Sequence, residues 1–217
     1  MAHLLKLPLV PVLPLRLCAV PGPLYTVLMG YKESSVDVAR QRFTRIVAAH
    51  FAHCLSQHGR CVTATLGAPV DLVLPVPSTA RPGRGALESV RGLGPLAVHA
   101  LGREARWTPG LLQRAEPYVG HMQPHVDAFT ASDYGAIDGA SIALLDDTYV
   151  SGARAQSAAA SLRLAGARSV IIVPLGRIIR PDRLSSHVEY LEHVRSQARP
   201  NDRCCRCVRP QRAAAIG

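Results

Sequence analysis

The sequence predicts an α/β protein with an open, mainly parallel sheet and helices on both faces. Its 217 residues are 48% hydrophobic and 18% charged, which excludes a disordered chain and supplies enough apolar side chains for a core. Two short apolar runs, at 71–76 and 141–145, have the length of buried strands. The second continues into a turn, a helix and another apolar run. That order is typical of a βαβ unit in a parallel sheet.

We expect one main domain with two appendages. Prolines crowd the start of the chain, so 1–30 is predicted to be an irregular or extended N-terminal extension or hood. A domain at 31–183 and a basic, cysteine-containing tail at 184–217 follow. The prolines also interrupt the apolar stretch Leu4–Met29, so we expect neither a membrane-spanning helix nor a signal peptide. Six cysteines without an export signal indicate reduced thiols and a cytoplasmic protein.

The pattern between the extension and the βαβ unit is mixed. An amphipathic helix is predicted to begin at Ser34 or Ser35 and to end at Gly59. Residues 81–91 leave room for one short helix. The segment 102–135 shows no sustained period and contains three prolines, so we expect it to be irregular and either functional or mobile.

The clearest unit begins at Ser141. Ser141–Leu145 is a predicted strand ended by Asp146 and Asp147, and 148–153 is a turn of small residues. Residues 155–165 are rich in helix formers, and Gly166 stands where a helix C-terminus favours glycine. Ser169–Val173 is the second predicted strand.

The turn inside this unit predicts a site for an anionic ligand. Ligands of open α/β sheets bind at the carboxyl ends of the strands, where Asp146 and Asp147 lie. The start of the next helix offers backbone N–H groups and a positive end to a phosphate. Five residues form this predicted cradle: Val150, Ser151, Gly152, Ala153 and Arg154. A plain strand-to-helix turn capped by Asp147 is the alternative.

The segment Ile142–Arg154, IALLDDTYVSGAR, resembles the 13-residue signature of type I phosphoribosyltransferases, with four apolar residues, two acidic residues and a Ser-Gly turn. Tyr31-Lys32, Val73–Thr79, Asp138-Gly139 and Arg177 follow the order of the ComF/GntX-type subfamily, so the resemblance covers roughly residues 25–180. The chain departs from that pattern at Val150, Ser151 and Arg154, and it lacks the subfamily's N-terminal cysteine metal motif.

The resemblance implies a transferase that moves a phosphoribosyl group from 5-phosphoribosyl 1-pyrophosphate to an unidentified nitrogenous acceptor. Asp146 and Asp147 would act as catalytic residues that hold the ribose hydroxyls, while Val150–Arg154 would cradle the 5′-phosphate. Mg²⁺ would bind through the substrate beside this acidic pair and bridge the pyrophosphate. The predicted pyrophosphate loop is formed by Ser78, Thr79, Arg81 and Arg84.

Two other functions remain open. One is a non-catalytic protein of this fold that senses a ligand or is associated with DNA uptake. The other is a structural fold with a defunct site.

The charge balance favours an anionic partner. The formal net charge is +10, and all 25 cationic residues except Lys6 and Lys32 are arginine, whose planar fork suits phosphate and carboxylate oxygens. A solvated arginine-rich surface is the plain alternative. Nucleic-acid binding and a homodimer are left open, and no membrane partner is expected.

The tail contains one motif with metal-ligand spacing. Cys204 and Cys207 form a single CxxC, which His187 or His193 could complete. Because one CxxC without a second pair is a weak signal, we expect a loosely ordered basic tail rather than a zinc site.

Several isolated residues have plain structural interpretations. We expect packing or surface roles for the histidines at 50, 53 and 58. Trp107 and Tyr118 are predicted to anchor loops rather than stack on an acceptor, and Lys32 to be a solvated turn lysine rather than a phosphate ligand.

Overall fold

The computed structural model describes residues 1–78, 86–115, 123–183 and 185–196. The helices are α1 Ala2–Leu5, α2 Pro23–Glu33, α3 Asp37–Leu66, α4 Leu93–Leu101, α5 Tyr134–Ile137, α6 Ala153–Leu164 and α7 Ser185–Ser196, with short 3₁₀ turns at Leu87–Ser89 and Val126–Ala128. The strands are β1 Arg16–Ala19, β2 Leu72–Pro75, β3 Arg106–Trp107, β4 Leu112–Arg114, β5 Phe129–Ala131, β6 Ser141–Tyr149 and β7 Ser169–Ile179.

Five strands form one sheet in the order β1-β7-β6-β2-β3, and every neighbouring pair in it is parallel. β4 and β5 form a separate antiparallel pair. The predicted α/β class with an open, mainly parallel sheet is confirmed.

Both faces of the sheet are covered by helices. Alternation along β6 sends Ala143 and Leu145 to one face, which packs against α3 and α4, and Ile142 and Leu144 to the other, which packs against α6. All four side chains are fully buried. Burial of one large aliphatic side chain stabilises a fold by about 1.5–3 kcal/mol, so these two layers are the main stabilising contribution.

The strand order reverses between β2 and β6. The helix after β2 is α4, which packs with the cluster on one face, whereas the helix after β6 is α6, which packs on the opposite face. Chain segments that leave neighbouring strands toward opposite faces open a crevice at the carboxyl ends of those strands. The fold therefore places the end of β6 beside this crevice.

The prediction that Gly59 ends the first long helix is wrong. Gly59 lies inside α3, where an added Cβ would overlap the carbonyl oxygen of Ala100 in α4, so glycine here allows close helix packing. The helix ends instead at Gly67, whose φ of 77° is the left-handed conformation typical of a C-terminal glycine. Its N-cap is Val36, not Ser34 or Ser35.

The prediction that residues 1–30 are irregular or extended is wrong where the chain is helical, in α1 and in α2 from Pro23 onward. β1 is extended, and it joins the main sheet beside β7. The Gln156 side chain holds the preceding segment, because it accepts the N–H of Val10 at 3.1 Å and donates to the Val10 carbonyl at 3.1 Å. The boundary between this segment and the main domain stays a prediction.

The described part of 102–135 is more ordered than predicted. It contains β3, the β4–β5 pair and the start of α5. Trp107 packs against Gly94 of α4, in agreement with an anchoring role. α4 itself was not predicted, since the sequence pattern allowed only one short helix at 81–91.

The βαβ unit is confirmed, with longer strands than predicted. β6 continues to Tyr149, so Asp146 and Asp147 lie within the strand rather than after it, and Asp146 is paired in register with Pro174 of β7. α6 ends as expected before Gly166, which has a φ of 97°. None of the helices in the described residues is long and apolar enough to span a membrane.

Candidate functional site

The acidic pair lies at the carboxyl end of β6, at the strand-order reversal. The side chains of Asp146 and Asp147 are almost completely buried, with residue exposures of 3% and 5%. Buried carboxylates are costly unless charged or hydrogen-bonding partners compensate for the lost water. Their partners therefore decide what this site can do.

Asp147 is held by three side-chain donors. The ammonium of Lys32 lies 2.6 Å from Oδ1, the hydroxyl of Tyr31 donates to Oδ2 at 2.5 Å, and the hydroxyl of Thr148 donates to Oδ1 at 2.9 Å. Lys32 also donates to the Thr148 hydroxyl at 3.0 Å. The prediction that Lys32 is a solvated turn lysine is wrong, because α2 directs it into the acidic pair.

Asp146 is held by Arg154 in the first turn of α6. The guanidinium donates to Oδ1 of Asp146 at 2.8 Å and lies 3.9 Å from Oδ1 of Asp147. Arg154 and Lys32 thus bring two positive charges to two carboxylates. The predicted contact of Arg154 with a phosphate stays a prediction, and in this arrangement its fork faces the acidic pair.

The two carboxyl groups have opposite pKa shifts. Burial raises the pKa of Asp146, and the charge of Asp147 adds to this effect although Arg154 opposes it. Burial also opposes ionisation of Asp147, but the charges of Lys32 and Arg154 and the bonds from Lys32 and Tyr31 outweigh it, so the pKa of Asp147 lies below its usual value. Burial and the charge of Asp147 raise the pKa of Tyr31, which keeps the phenol protonated as a donor.

The turn after β6 leads directly into the N-terminus of α6. Gly152 precedes α6 with a φ of 83°, and a Cβ there would overlap the ring of Tyr149. The Ser151 hydroxyl accepts the N–H of Ala153 at 3.2 Å, so the loop satisfies one of the helix's own donors. Val150 is 54% exposed. Glycine is therefore required at 152 both by conformation and by contact.

The predicted pyrophosphate loop follows a strand next to the acidic pair. β2 and β6 are parallel neighbours, with Pro75 in register with Leu145 and the N–H of Val76 bonded to the Leu145 carbonyl at 2.8 Å. Ser78 therefore leaves the same edge of the sheet as the acidic pair. Thr79, Arg81 and Arg84 lie outside the described residues, as do Tyr118, Cys204 and Cys207.

A magnesium ion coordinated directly by both carboxylates does not fit this arrangement. Both oxygens of Asp147 are already engaged by Lys32, Thr148 and Tyr31, and Arg154 occupies Oδ1 of Asp146. In the part of the chain that the structure describes, no cluster of three or more His, Cys, Asp and Glu side chains could hold a metal. Magnesium stays a prediction from the resemblance.

The histidines behave largely as expected. His58 is buried at 2% exposure within α3, and His53 is exposed on the same helix. Burial, with smaller contributions from Arg16 and His53, lowers the pKa of His50. These features agree with packing and surface roles.

Two residues at the site were missed by sequence reasoning. Tyr31 was noted only as part of the resemblance, and Tyr149 only as part of the turn, yet Tyr31 binds Asp147 and Tyr149 covers Gly152. A buried acidic pair requires donors and cations, and one of the chain's two lysines stands next to Tyr31. The need for such partners could have been inferred from the sequence, but it does not identify which residues supply them.

Comparison with known proteins assigns no family. No family model matches the chain, and no curated protein matches it. A similar solved structure is described as that of the allosteric regulatory enzyme of purine biosynthesis, with 20% identity and a TM-score of 0.33 over 58% of this chain. The match spans 25% of that longer chain. The fold class described above follows from the topology of the sheet.

Proposed function

We propose that the chain binds 5-phosphoribosyl 1-pyrophosphate at the carboxyl edge of β6 and transfers its phosphoribosyl group to a nitrogenous acceptor. The observation that carries this proposal is the juxtaposition, at the strand-order reversal, of Asp146 and Asp147 with the glycine-led N-terminus of α6. Paired carboxylates accept hydrogen bonds from vicinal hydroxyls, and a helix N-terminus attracts phosphate. A phosphorylated sugar presents both chemical groups within one small molecule.

Binding of such a donor requires an exchange of partners. Lys32 and Arg154 now neutralise the acidic pair. A donor that places its ribose hydroxyls on the carboxylates brings phosphates that attract the same two cations. The cations would pass from carboxylate to phosphate, and the ribose hydroxyls would replace them as hydrogen-bond donors to the carboxylates.

The transfer would then proceed at C1 of the ribose. The acceptor nitrogen forms a bond to C1, the bond from C1 to the pyrophosphate oxygen breaks, and the acceptor's proton passes to solvent. Cations near the leaving group would stabilise its developing charge. In this mechanism the acidic pair positions the ribose, and Arg154 binds phosphate.

Thermal denaturation with the donor tests the binding step. A ligand at a hundred times its Kd adds about 2.7 kcal/mol to the free energy of unfolding, and each kcal/mol moves the Tm of a chain of this size by about 2–4 °C. We therefore expect a rise of roughly 5–10 °C. Asp146→Asn should abolish most of it, whereas Asp182→Asn, an exposed aspartate outside the site, should keep it.

The same experiment separates magnesium from the protein's own cations. Titration with the donor in the presence of MgCl₂ and again with a chelator gives two Tm shifts. The magnesium prediction requires a much smaller shift with the chelator. No shift under either condition, with folding confirmed by circular dichroism, would reject donor binding and leave a structural fold with a defunct site.

A second function, a ligand-sensing protein without transfer, is favoured by one observation. The acidic pair is neutralised by residues of the chain itself, which stabilises a closed arrangement that ligand binding would open. Pyrophosphate release distinguishes the two functions. An enzyme releases pyrophosphate when a panel of bases and amines is added with the donor, whereas a sensor shows the Tm shift without release.

A further inference from the structure

A pocket of about 430 Å³ lies beside the end of β6, and neither Asp146 nor Asp147 lines it. Its volume is within the range of small-molecule sites. It is lined by the segment before β1, the ends of β6 and β7 and the first turn of α7, through Val12, Pro14, Tyr149, Arg177, Ile179, Ser186 and His187. The function proposed above assigns nothing to it.

Arg177 gives this pocket a fixed positive charge. Its guanidinium lies 5.0 Å from the centre of the Tyr149 ring, and its Nη1 donates to the carbonyl of Val150 at 2.7 Å. A guanidinium has five N–H donors, so a group fixed by one ring and one carbonyl keeps donors for a ligand. None of the described residues that line the pocket is acidic.

His187 supplies a second donor. Its Nδ1 accepts the backbone N–H of Arg180 at 3.0 Å. That bond requires the neutral ring to carry its proton on Nε2. A side chain fixed in this way offers an N–H within the same pocket as Arg177.

The remaining wall is largely apolar. Val12, Pro14 and Ile179 contribute hydrocarbon surface, which favours an apolar or aromatic group over a fully hydrated ion. A charged fork beside an apolar wall suits a ligand with both properties.

We propose that this pocket binds a small oxyanion attached to an aromatic ring. The carboxylate or phosphate end pairs with Arg177 and the Nε2 proton of His187, and the ring packs against Val12, Pro14 and Ile179. The site is separate from the acidic pair and does not depend on the function proposed above.

The pocket and the predicted phosphate cradle share a wall. The Tyr149 ring contacts Gly152 on one side and lies beneath Arg177, which also holds the Val150 carbonyl. A ligand that draws the Arg177 fork away from Val150 changes the support of the turn that leads into α6. Occupancy of the pocket is therefore expected to alter the affinity of any ligand bound at that turn.

Four probes test the chemistry on the full chain without any phosphoribosyl donor. Benzoate and phenyl phosphate combine a ring with an oxyanion, inorganic phosphate lacks the ring, and benzamide lacks the charge. Binding is followed by NMR through the Arg177 Nε–H and His187 ring signals. We expect both signals to shift with benzoate and phenyl phosphate, and at least tenfold weaker effects with phosphate and benzamide. The ratio of benzoate to phenyl phosphate affinity distinguishes a carboxylate site from a phosphate site.

Substitution of Arg177 provides the matched variant. Hydrogen bonds to charged groups are strong enough that Arg177→Gln should weaken benzoate binding by about tenfold to a hundredfold. Arg183→Gln removes an exposed arginine that does not line the pocket, and it should leave the affinity for benzoate unchanged. Equal affinity for all four probes, or unchanged affinity in Arg177→Gln, would overturn the proposal. If Arg177→Gln does not fold, the NMR titration of the unaltered chain decides alone.

Discussion

Two arginines flank the turn between β6 and α6, and only one of them has negatively charged neighbours. Arg154 lies against the acidic pair, 2.8 Å from Asp146, whereas Arg177 lies over the Tyr149 ring and holds the Val150 carbonyl. The charge of Arg154 is neutralised within the fold, while that of Arg177 faces a pocket without acidic lining residues. An anion can therefore meet Arg177 directly, but it reaches Arg154 only by replacing an internal partner.

Substitution of Lys32, a partner of the acidic pair, should cause the largest loss of stability. Lys32→Met leaves Asp147 buried with fewer compensating partners, and loss of one member of a buried ion pair costs about 3–5 kcal/mol. Urea denaturation should show a fall of about 3 kcal/mol in the free energy of unfolding. The matched control is Lys6→Met, which alters the chain's other, exposed lysine and should change stability by less than about 0.5 kcal/mol.

The same variant yields a stricter test in combination. Lys32→Met together with Asp147→Asn removes both charges of the pair, so the double variant should be more stable than Lys32→Met alone. Additive losses would show that the pair is not the source of the stability.

Substitution of Gly152 tests its contact with Tyr149 in the turn that the two arginines flank. Gly152→Ala imposes a positive φ on alanine, at a cost of about 1–2 kcal/mol, and its Cβ would also overlap the Tyr149 ring. Gly67→Ala is the control, because Gly67 has a similar φ of 77° and nothing within 4 Å of an added Cβ. A Tm loss larger at 152 than at 67 isolates the contact with Tyr149, and equal losses would deny that contact a role.

Acidification should distinguish the two carboxyl groups by their effects on stability. The net change is expected to be smaller, because their pKa values are shifted in opposite directions. The pKa of Asp147 is lowered in the fold, so its contribution to stability is present above the usual value of 3.8 and is lost as pH falls through the lowered pKa. The pKa of Asp146 is raised, so stability increases as pH falls from that raised pKa toward 3.8.

The two asparagine variants assign these limbs of the pH profile. Asp147→Asn should flatten the loss of stability below pH 3.8, and Asp146→Asn should remove the gain above it. Chemical denaturation at a series of pH values measures both. A variant profile parallel to that of the unaltered chain would contradict the assignment.

Arg177→Gln should have the smallest effect on stability. Its hydrogen bond to the Val150 carbonyl and its contact with the Tyr149 ring contribute about 1 kcal/mol or less to the free energy of unfolding. The free energy of unfolding should therefore fall far less than in Lys32→Met, although ligand binding in the pocket is strongly reduced. A loss comparable to that of Lys32→Met would show that Arg177 has a structural role similar to that of the acidic pair's cations.

The sequence pattern was sufficient to predict the βαβ unit, because its elements follow one another along the chain. The βαβ unit is continuous in sequence, with apolar runs, helix formers and Gly166 in order, so its elements were recognisable. Gly59 and Gly67 show the limit of such reasoning. Either glycine could end the helix predicted from the sequence. Gly59 instead allows close contact with Ala100 of another helix, and only Gly67 of the two has the left-handed conformation of a helix C-terminus.

The site was predictable in its acidic residues and not in their partners. Asp146 and Asp147 stand out at the end of an apolar run, whereas Tyr31 and Lys32 lie more than 110 residues earlier in the chain. They reach Asp147 because α2 follows β1, which pairs with β7, and because α2 packs against α3. Strands of two or three residues, such as β3 to β5, are too short to show any periodicity.

The pairing of β1 with β7 has a consequence for synthesis of the protein. In the described residues, the sheet partner of β1 is β7, and Arg16 is in register with Gly176. During translation β1 is therefore made long before its sheet partner, whereas α2 can pack at once against α3, the next helix in the chain. Contacts with the sequence separation of the β1–β7 pair slow folding. The edge of the sheet formed by β1 can therefore be completed only after β7, the last strand of the described residues, has been synthesised.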